Sequence, residues 1–325
     1  MDRTRAAGIL LVVVSAFGFG SGALIAKPIY AVGVNWMTLL SWRFLFAAAL
    51  SWGWLLIWPS QRRALRAMSR RRVLVLVLLG ILYLGNTGTY YAGLETVDAS
   101  LSSLIVYIFP ALVAVISIRF GRPLEGRRAW FALALATAGV ALAVGGISPD
   151  RVPPLLGLVL TISSPVVYAI WIVLAARMSG ERPDGDSDAP PPHDSETTST
   201  ATTEPSDSAP TAAIMLTATA IGWTLAAILA GRPVLPADVP TETWLPLFAL
   251  GLVATAVAMQ AFYAGARRIG AAQASLVSTV EPIYTITLAA ILLHESLTPV
   301  QLAGGAMVII GVVIAQTGRR RTGEK

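Results

Sequence analysis

Two charged side chains, Glu281 and Arg43, lie well inside long apolar stretches of the sequence. Ionisable groups at such depth in lipid are costly, and they mark functional sites by default. At helical rise, Glu281 lies roughly 15 Å and Arg43 roughly 10 Å from the nearer end of its stretch. These depths permit an ion pair that joins two helices. The alternative is that Glu281 binds a proton or a cationic group of a ligand.

Polar and aromatic residues recur near the same depth at spacings that place them on one helix face. A single Ser or Thr in such a position is explained by hydrogen bonding between helices. The combined set favours a water-filled cavity, because several stretches present Tyr or Trp beside polar residues. Tyr and Trp suit an amphipathic organic solute, since they offer an apolar face and one hydrogen bond. The candidate binding residues are Glu281, Arg43, Tyr83, Asn86, Tyr90, Ser103, Tyr107, Tyr168, Trp171, Gln260, Tyr263, Ser278 and Tyr284.

Two prolines, Pro110 and Pro282, lie inside apolar stretches. Each removes one backbone hydrogen bond from a helix and leaves a carbonyl free. They are separated by 172 positions, the same offset that relates other marks of an internal repeat. We expect paired helix bends near the middle of the membrane. A packing kink without a ligand is the alternative.

Composition excludes several function classes. Hydrophobic residues make up 55% of the chain and charged residues 13%, against about 25% charge in average soluble domains. The absence of cysteine and the presence of only two histidines, His193 and His294, exclude disulfide frameworks and make metal sites or cofactors unexpected. No nucleotide-binding glycine motif occurs. With one buried acid and no convergent catalytic groups, we do not expect an enzyme.

The apolar stretches predict an all-α integral membrane protein. About 20 apolar residues are needed for each transmembrane helix, and the runs lack the alternation of barrel strands. Ten stretches qualify, at 6–27, 36–58, 73–93, 99–119, 129–146, 154–176, 211–230, 244–265, 271–293 and 299–317.

The basic residues predict the orientation. With the N-terminus in the cytoplasm and ten helices, 20 of the 24 lysines and arginines fall on the cytoplasmic side, as the positive-inside rule requires. Both termini are therefore expected in the cytoplasm. The net charge of +6 is explained by this sorting rather than by nucleic-acid binding. The first stretch is long enough to span and is not expected to be a cleaved signal peptide.

The chain repeats itself. Tyr91-Ala92-Gly93 returns as Tyr263-Ala264-Gly265, and Gly139-Val140 returns as Gly311-Val312, each 172 positions later. We expect two inverted five-helix repeats, 1–146 and 147–325, with a binding site where they meet. The acidic, Pro- and Ser/Thr-rich segment 178–210 cannot bury a core, and it is predicted to be a disordered cytoplasmic linker. It is either a tolerated insertion or a docking segment.

Several motifs resemble the EamA-type transporters of the drug/metabolite transporter superfamily. They are Glu281-Pro282, Leu293-His294-Glu295-Ser296-Leu297, Gly304, Ile310-Gly311-Val312, Trp42-Arg43-Phe44-Leu45 and Phe17-Gly18 with Lys27. The usual Trp-Gly of the first helix is Phe17-Gly18 here. Pro123 replaces a glutamate that is common in the first repeat.

This resemblance implies a multi-pass protein of the bacterial cytoplasmic membrane. Its partners would be lipid and a small organic metabolite, such as an amino acid or amine. The solute would cross by alternating access without ATP, with export favoured on family grounds. Proton coupling through Glu281 is a further hypothesis. A channel or a membrane sensor without transport is the alternative, and the sequence leaves the oligomeric state open.

Overall fold

The structure is a computed structural model that describes residues 3–109, 112–113, 116, 127–147, 152–178, 208–269, 274 and 277–317. The described secondary structure is helical. The helices are α1 Arg3–Ala31, α2 Trp36–Ile57, α3 Pro59–Ala67, α4 Arg70–Leu94, α5 Ala99–Val106, α6 Arg127–Gly145, α7 Leu155–Met178, α8 Ser208–Leu229, α9 Trp244–Gly251, α10 Ala258–Ile269, α11 Val280–Leu292 and α12 Pro299–Thr317. A π-helical turn, Leu252–Val257, joins α9 to α10.

Within the described ranges, six helical segments are long and apolar enough to cross a membrane. Large apolar side chains such as Leu10, Trp54 and Leu225 remain exposed on the outer faces of helices, as expected for contact with lipid. Shorter apolar helices complete the described bundle. The spanning segments are Thr4–Ala31, Trp36–Ile57, Arg70–Leu94, Leu155–Leu174, Ala209–Leu229 and Thr241–Ala266, and the shorter ones are Trp130–Val144, Val280–Leu292 and Pro299–Gly311.

Most helix bounds lie close to those expected from the apolar stretches. Helix α12 coincides with the predicted 299–317. Helix α1 is longer than the predicted 6–27 and contains Lys27. The short helix α3 was not predicted, because it is polar and basic and therefore lacks an apolar run. Of the predicted linker 178–210, the structure describes its two ends, which lie in α7 and α8; residues 179–207 are outside the described residues.

Two predicted continuous helices are interrupted, which corrects the expectation of simple bends. Helix α5 ends at Val106 and is followed by a turn at Tyr107, whereas one helix over 99–119 was predicted. Helix α11 begins only at Val280, after a turn at Ser278. Pro282 therefore lies in the first turn of α11, where a missing N–H does no harm. Pro110 lies outside the described residues.

The helices pack in a pattern that is unchanged when the two halves are exchanged. Helix α2 packs on α8, α5 on α11, and α6 on α12, which are pairs of equivalent helices. Helix α4 packs on α7, and α1 packs on α10. Because α4 corresponds to α10 and α7 corresponds to α1, exchanging the two halves converts one of these pairs into the other. The main helix contacts of one half therefore have counterparts in the other.

Glycine contacts show the same exchange at the level of single residues. A Cβ on Gly139 would lie 2.6 Å from the carbonyl oxygen of Gly304, and a Cβ on Gly311 would lie 2.8 Å from that of Ala132. Adding 172 to 132 and 139 gives 304 and 311, so the second contact is the image of the first. Only residues without a side chain allow backbones to approach so closely.

A second pair of glycine contacts locates the length difference between the halves. Gly93 contacts the carbonyl of Gly157, and Gly265 contacts that of Gly8. The first helices of the two halves, α1 and α7, are thus separated by 149 residue numbers (157 minus 8), whereas the later helices of the two halves are separated by 172. The second half therefore holds 23 additional residues between α7 and α8 (172 minus 149), which is where the linker was predicted.

Candidate functional site

The two helix interruptions bring Tyr107 and Glu281 together. The hydroxyl of Tyr107 donates to the carbonyl oxygen of Ser278 at 2.5 Å and lies 3.2 Å from Oε2 of Glu281. Carbonyls at a helix interruption lack partners within their own helix and are available to other donors. Tyr107 is buried and Glu281 is half-buried. The carboxylate thus faces the interior, where α5 and α11 meet.

Helix α1 forms one wall of this site, which sequence reasoning missed. A Cβ on Gly20 would lie 3.4 Å from Cγ of Glu281. The ring of Phe17 stacks on Tyr284 at 4.5 Å, and the hydroxyls of Ser21 and Tyr284 share a hydrogen bond of 2.9 Å. Phe17, Gly20 and Ser21 follow helical spacing. That spacing was the available signal for this wall of the site.

A continuous row of aromatic rings leads away from Glu281. Tyr107, Phe109, Tyr168, Trp171, Tyr83 and Phe44 follow one another with centroid separations of 6.0, 4.7, 6.0, 5.0 and 6.0 Å. These separations are typical of favourable ring contacts. The indole of Trp171 also donates to the carbonyl of Leu79 at 2.9 Å, which fixes its ring. The row joins predicted binding residues from α4 and α7 to those of α5.

Arg43 does not pair with Glu281, so the contact that the depths permitted is not formed. Within the described residues, its Nε donates to Oγ1 of Thr255 at 2.8 Å and its Nη2 donates to the carbonyl of Ala254 at 3.1 Å. Both acceptors belong to the π-helical turn. The hydroxyl of Thr255 donates in turn to the carbonyl of Leu250 at 3.1 Å, which directs a lone pair toward Arg43.

The π-helical turn marks a single-residue difference between the halves. A Cβ on Gly80 would meet Met215 and Ala218, and a Cβ on Gly251 would meet Arg43 and Phe46. Met215 and Ala218 are the 172-offset images of Arg43 and Phe46, yet Gly251 follows Gly80 by only 171. One extra residue therefore lies between Gly251 and Tyr263, as a π turn accommodates. π turns of this kind are frequent at functional sites.

The remaining predicted residues are placed less closely around Glu281. Asn86 and Ser103 are buried in α4 and α5, and the ring of Tyr90 contacts that of Tyr91 at 5.2 Å. Nε2 of Gln260 is buried without a hydrogen-bond partner. Tyr263 lies in α10, but its side chain is outside the described residues.

An aromatic ring lies beside the guanidinium of Arg43. The guanidinium carbon of Arg43 lies 4.6 Å from the centroid of Tyr91, within the range of cation–π attraction. Tyr91 therefore contributes to holding the buried cation in place.

A separate polar contact closes the bundle at the end where α5 begins. The carboxylate of Glu295 accepts from the amides of Ala99 and Ser100 at 2.9 and 2.8 Å. Nζ of Lys27 donates to the carbonyl of Val97 at 2.6 Å. Asp98 occupies the N-cap position of α5 but forms no capping hydrogen bond with its side chain. Glu295 therefore caps α5 from the segment that joins α11 to α12.

A crevice of about 350 Å³ lies between α5, α6 and α7, away from Glu281. Its lining is almost entirely aliphatic. No cluster of His, Asp and Glu in the described ranges would hold a metal ion. The residues lining the crevice are Ile105, Ile108, Leu112, Thr137, Val140, Ala141, Val144, Ile162, Pro165 and Val166.

Comparison with known proteins identifies the architecture. The profile of the EamA-like transporter family matches residues 6–145 and 200–317, which together form most of the chain. No curated protein sequence matches. Among solved structures, 26 chains match. One, described only as "Crystal structure of protein", is 18% identical, covers 98% of this chain and 99% of its own, and gives a TM-score of 0.62. At that identity the likeness shows the fold alone.

Proposed function

The chain belongs to the EamA-like transporter family of the drug/metabolite transporter superfamily, and from this premise we propose that it is a secondary active transporter. It is a multi-pass membrane protein of a family of transporters, not of enzymes. The proposed cargo is a small organic metabolite such as an amino acid or amine. The proposed location is a bacterial cytoplasmic membrane.

The proposed architecture has ten spans in two inverted five-helix repeats, with both termini in the cytoplasm and the repeats divided as 1–146 and 147–325. The exchange symmetry of the helix contacts supports the repeats. The basic residues support the orientation, because they cluster beside alternate spans. In such transporters the two halves move against each other around a site near the midplane.

The observation that carries the proposal is the carboxylate of Glu281, held where two interrupted helices from opposite halves meet. The Tyr107 hydroxyl, which it shares as a donor with the Ser278 carbonyl, lies 3.2 Å from its Oε2, and α1 packs against it at Gly20. A carboxyl group in this position can take up a proton or a cationic group when the site opens. The row of rings from Tyr107 to Phe44 supplies an apolar surface for the rest of a solute.

We propose that solute movement is coupled to protons through Glu281 and runs in the direction of export. Metabolite profiling of a deletion strain and an overexpressing strain would identify the solute. Purified protein in proteoliposomes would then be given a pH gradient. Wild-type protein is expected to accumulate the solute against its gradient. Glu281→Gln is expected to abolish accumulation, because an amide cannot exchange a proton, while solute exchange at equal pH is retained in part.

Glu242→Gln provides the matched control, since Glu242 is exposed in a short turn before α9. Its pH-driven accumulation is expected to equal that of wild type. Full activity with unchanged pH dependence in Glu281→Gln would remove proton coupling from the proposal. Flux that neither saturates nor shows trans-stimulation would favour the channel alternative.

A further inference from the structure

The guanidinium of Arg43 is buried with one nitrogen unused. Only 5% of the residue is exposed, and Nη1 has no hydrogen-bond partner. Arginine carries five N–H donors and stays charged. Within the described residues, its hydrogen-bond partners are all neutral: the Thr255 hydroxyl, the Ala254 carbonyl and, through a side-chain hydrogen bond, the Tyr91 hydroxyl. A buried charge without a counter-charge is costly, so this arrangement calls for an anion.

The guanidinium is held in place rather than free to turn toward another partner. Nε and Nη2 are fixed by the π-helical turn, and the α2 backbone at Arg43 lies against Gly251, where a Cβ would approach its carbonyl oxygen to 2.9 Å. The ring of Tyr91 lies 4.6 Å from the guanidinium carbon. Nη1 is the guanidinium nitrogen that is buried without a hydrogen-bond partner.

Arg43 and Glu281 lie at a similar depth beside α1. A Cβ on Gly20 would be 3.4 Å from Cγ of Glu281, and a Cβ on Gly22 would be 3.5 Å from Cβ of Ala254 and 2.9 Å from the hydroxyl of Tyr91. Residues two positions apart in a helix, such as Gly20 and Gly22, differ by about 3 Å along the helix axis.

We propose that Nη1 of Arg43 binds the carboxylate of the transported solute. This inference rests on the proposed function and narrows its substrate class to amino-acid-like zwitterions, with the amine toward Glu281 and the carboxylate toward Arg43. A monoanion matches the single unpaired guanidinium. A dianion such as phosphate would leave excess buried negative charge. Thr255 acts as a positioning residue, because it touches the guanidinium and not the solute.

The test measures saturable uptake into proteoliposomes for matched pairs of solutes that differ only in the carboxylate. The pairs are the amino acids phenylalanine, tryptophan, leucine and lysine with phenethylamine, tryptamine, isoamylamine and cadaverine. Wild type is expected to prefer the amino acid. Arg43→Gln is expected to raise the KM of the amino acid by about 10- to 100-fold, the range of a charge-assisted hydrogen bond, and to raise the KM of the amine by much less. Retained amine uptake in the same preparation shows that the variant is folded.

Thr255→Val and Thr255→Ser keep the proposal testable if Arg43→Gln does not fold. Valine keeps the shape of threonine and removes the acceptor of Nε, so the KM of the amino acid is expected to rise several-fold. Serine keeps the hydroxyl, so Thr255→Ser is expected to have the KM of the wild type for the amino acid. Equal uptake of both members of every pair by wild type, or an equal fall for both in Thr255→Val, would overturn the inference and leave transport intact. Absence of saturable uptake of any pair would overturn the inference together with the proposed function.

Discussion

The buried Arg43 and the half-buried Glu281 each have some hydrogen bonds supplied by the protein, and neither has an oppositely charged partner in the described residues. The Tyr107 hydroxyl lies within hydrogen-bond distance of the Glu281 carboxylate, and the Arg43 guanidinium donates to Thr255 and Ala254 of the π-helical turn. A direct ion pair would have neutralised both and left nothing for a ligand. Because the two side chains do not pair with each other, this site differs from a structural salt bridge.

Glu295 offers a prediction at the scale of a single residue. Its carboxylate accepts from two amides at the start of α5. Glu295→Ala is expected to lower the free energy of unfolding by about 1 kcal/mol, the usual value of a helix cap. Glu295→Gln keeps one acceptor oxygen and is expected to lose less. Thermal unfolding in detergent measures both, with Glu242→Ala as the exposed control. An unchanged Tm in Glu295→Ala would show that the cap contributes nothing.

Much of the candidate site follows from the sequence, because buried charges and aromatic spacing are visible in it. Tyr107, Tyr168, Trp171 and Tyr83 were expected near Glu281, and the structure places them in one row of rings. The hydrogen-bond partners of Arg43 could not be predicted from the sequence. Thr255 and Ala254 lie in an apolar run whose pattern does not reveal a π turn.

At the scale of helices, interruptions matter more than lengths. Apolar runs predict where helices lie, and they predicted both ends of α12 correctly. They do not register a break of one or two residues, so the turns at Tyr107 and Ser278 were missed. Both turns lie at equivalent places in the two halves and deliver Tyr107 and Glu281 to each other.

The crossing of α6 and α12 gives a prediction at this scale. A Cβ on Gly139 or Gly304 would meet the opposing carbonyl at 2.6 or 2.5 Å. Gly139→Ala and Gly304→Ala are each expected to cost about 1–3 kcal/mol, because the helices must separate. Gly53→Ala is the matched control, since no atom lies within 4 Å of its added Cβ. Thermal unfolding of the three variants would contradict this account if all retained the wild-type Tm.

At the scale of the whole molecule, the exchange of helix pairs relates the two halves. The sequence repeat predicted it, and the glycine contacts locate it at named residues. The twenty-three added residues between α7 and α8 do not disturb it, because they fall between helices and not within one. Insertions in connections are tolerated where they leave packed helices in register.

Orientation gives a prediction for the whole molecule, and the lack of cysteine makes it straightforward to test. Val32→Cys and Leu235→Cys replace exposed residues on the side expected outside, and Arg63→Cys replaces an exposed residue on the cytoplasmic side. A membrane-impermeant maleimide is expected to label the first two in intact cells and Arg63→Cys only after permeabilisation. The reverse pattern would place both termini outside.

The additional residue in the π-helical turn means that the halves are unequal. Under the proposed alternating-access mechanism, two identical inverted halves would give the inward-facing and outward-facing forms the same free energy. This inequality removes that degeneracy, so the empty protein is expected to rest preferentially open to one compartment. A blocker applied from the two sides of the membrane would then act with different potency.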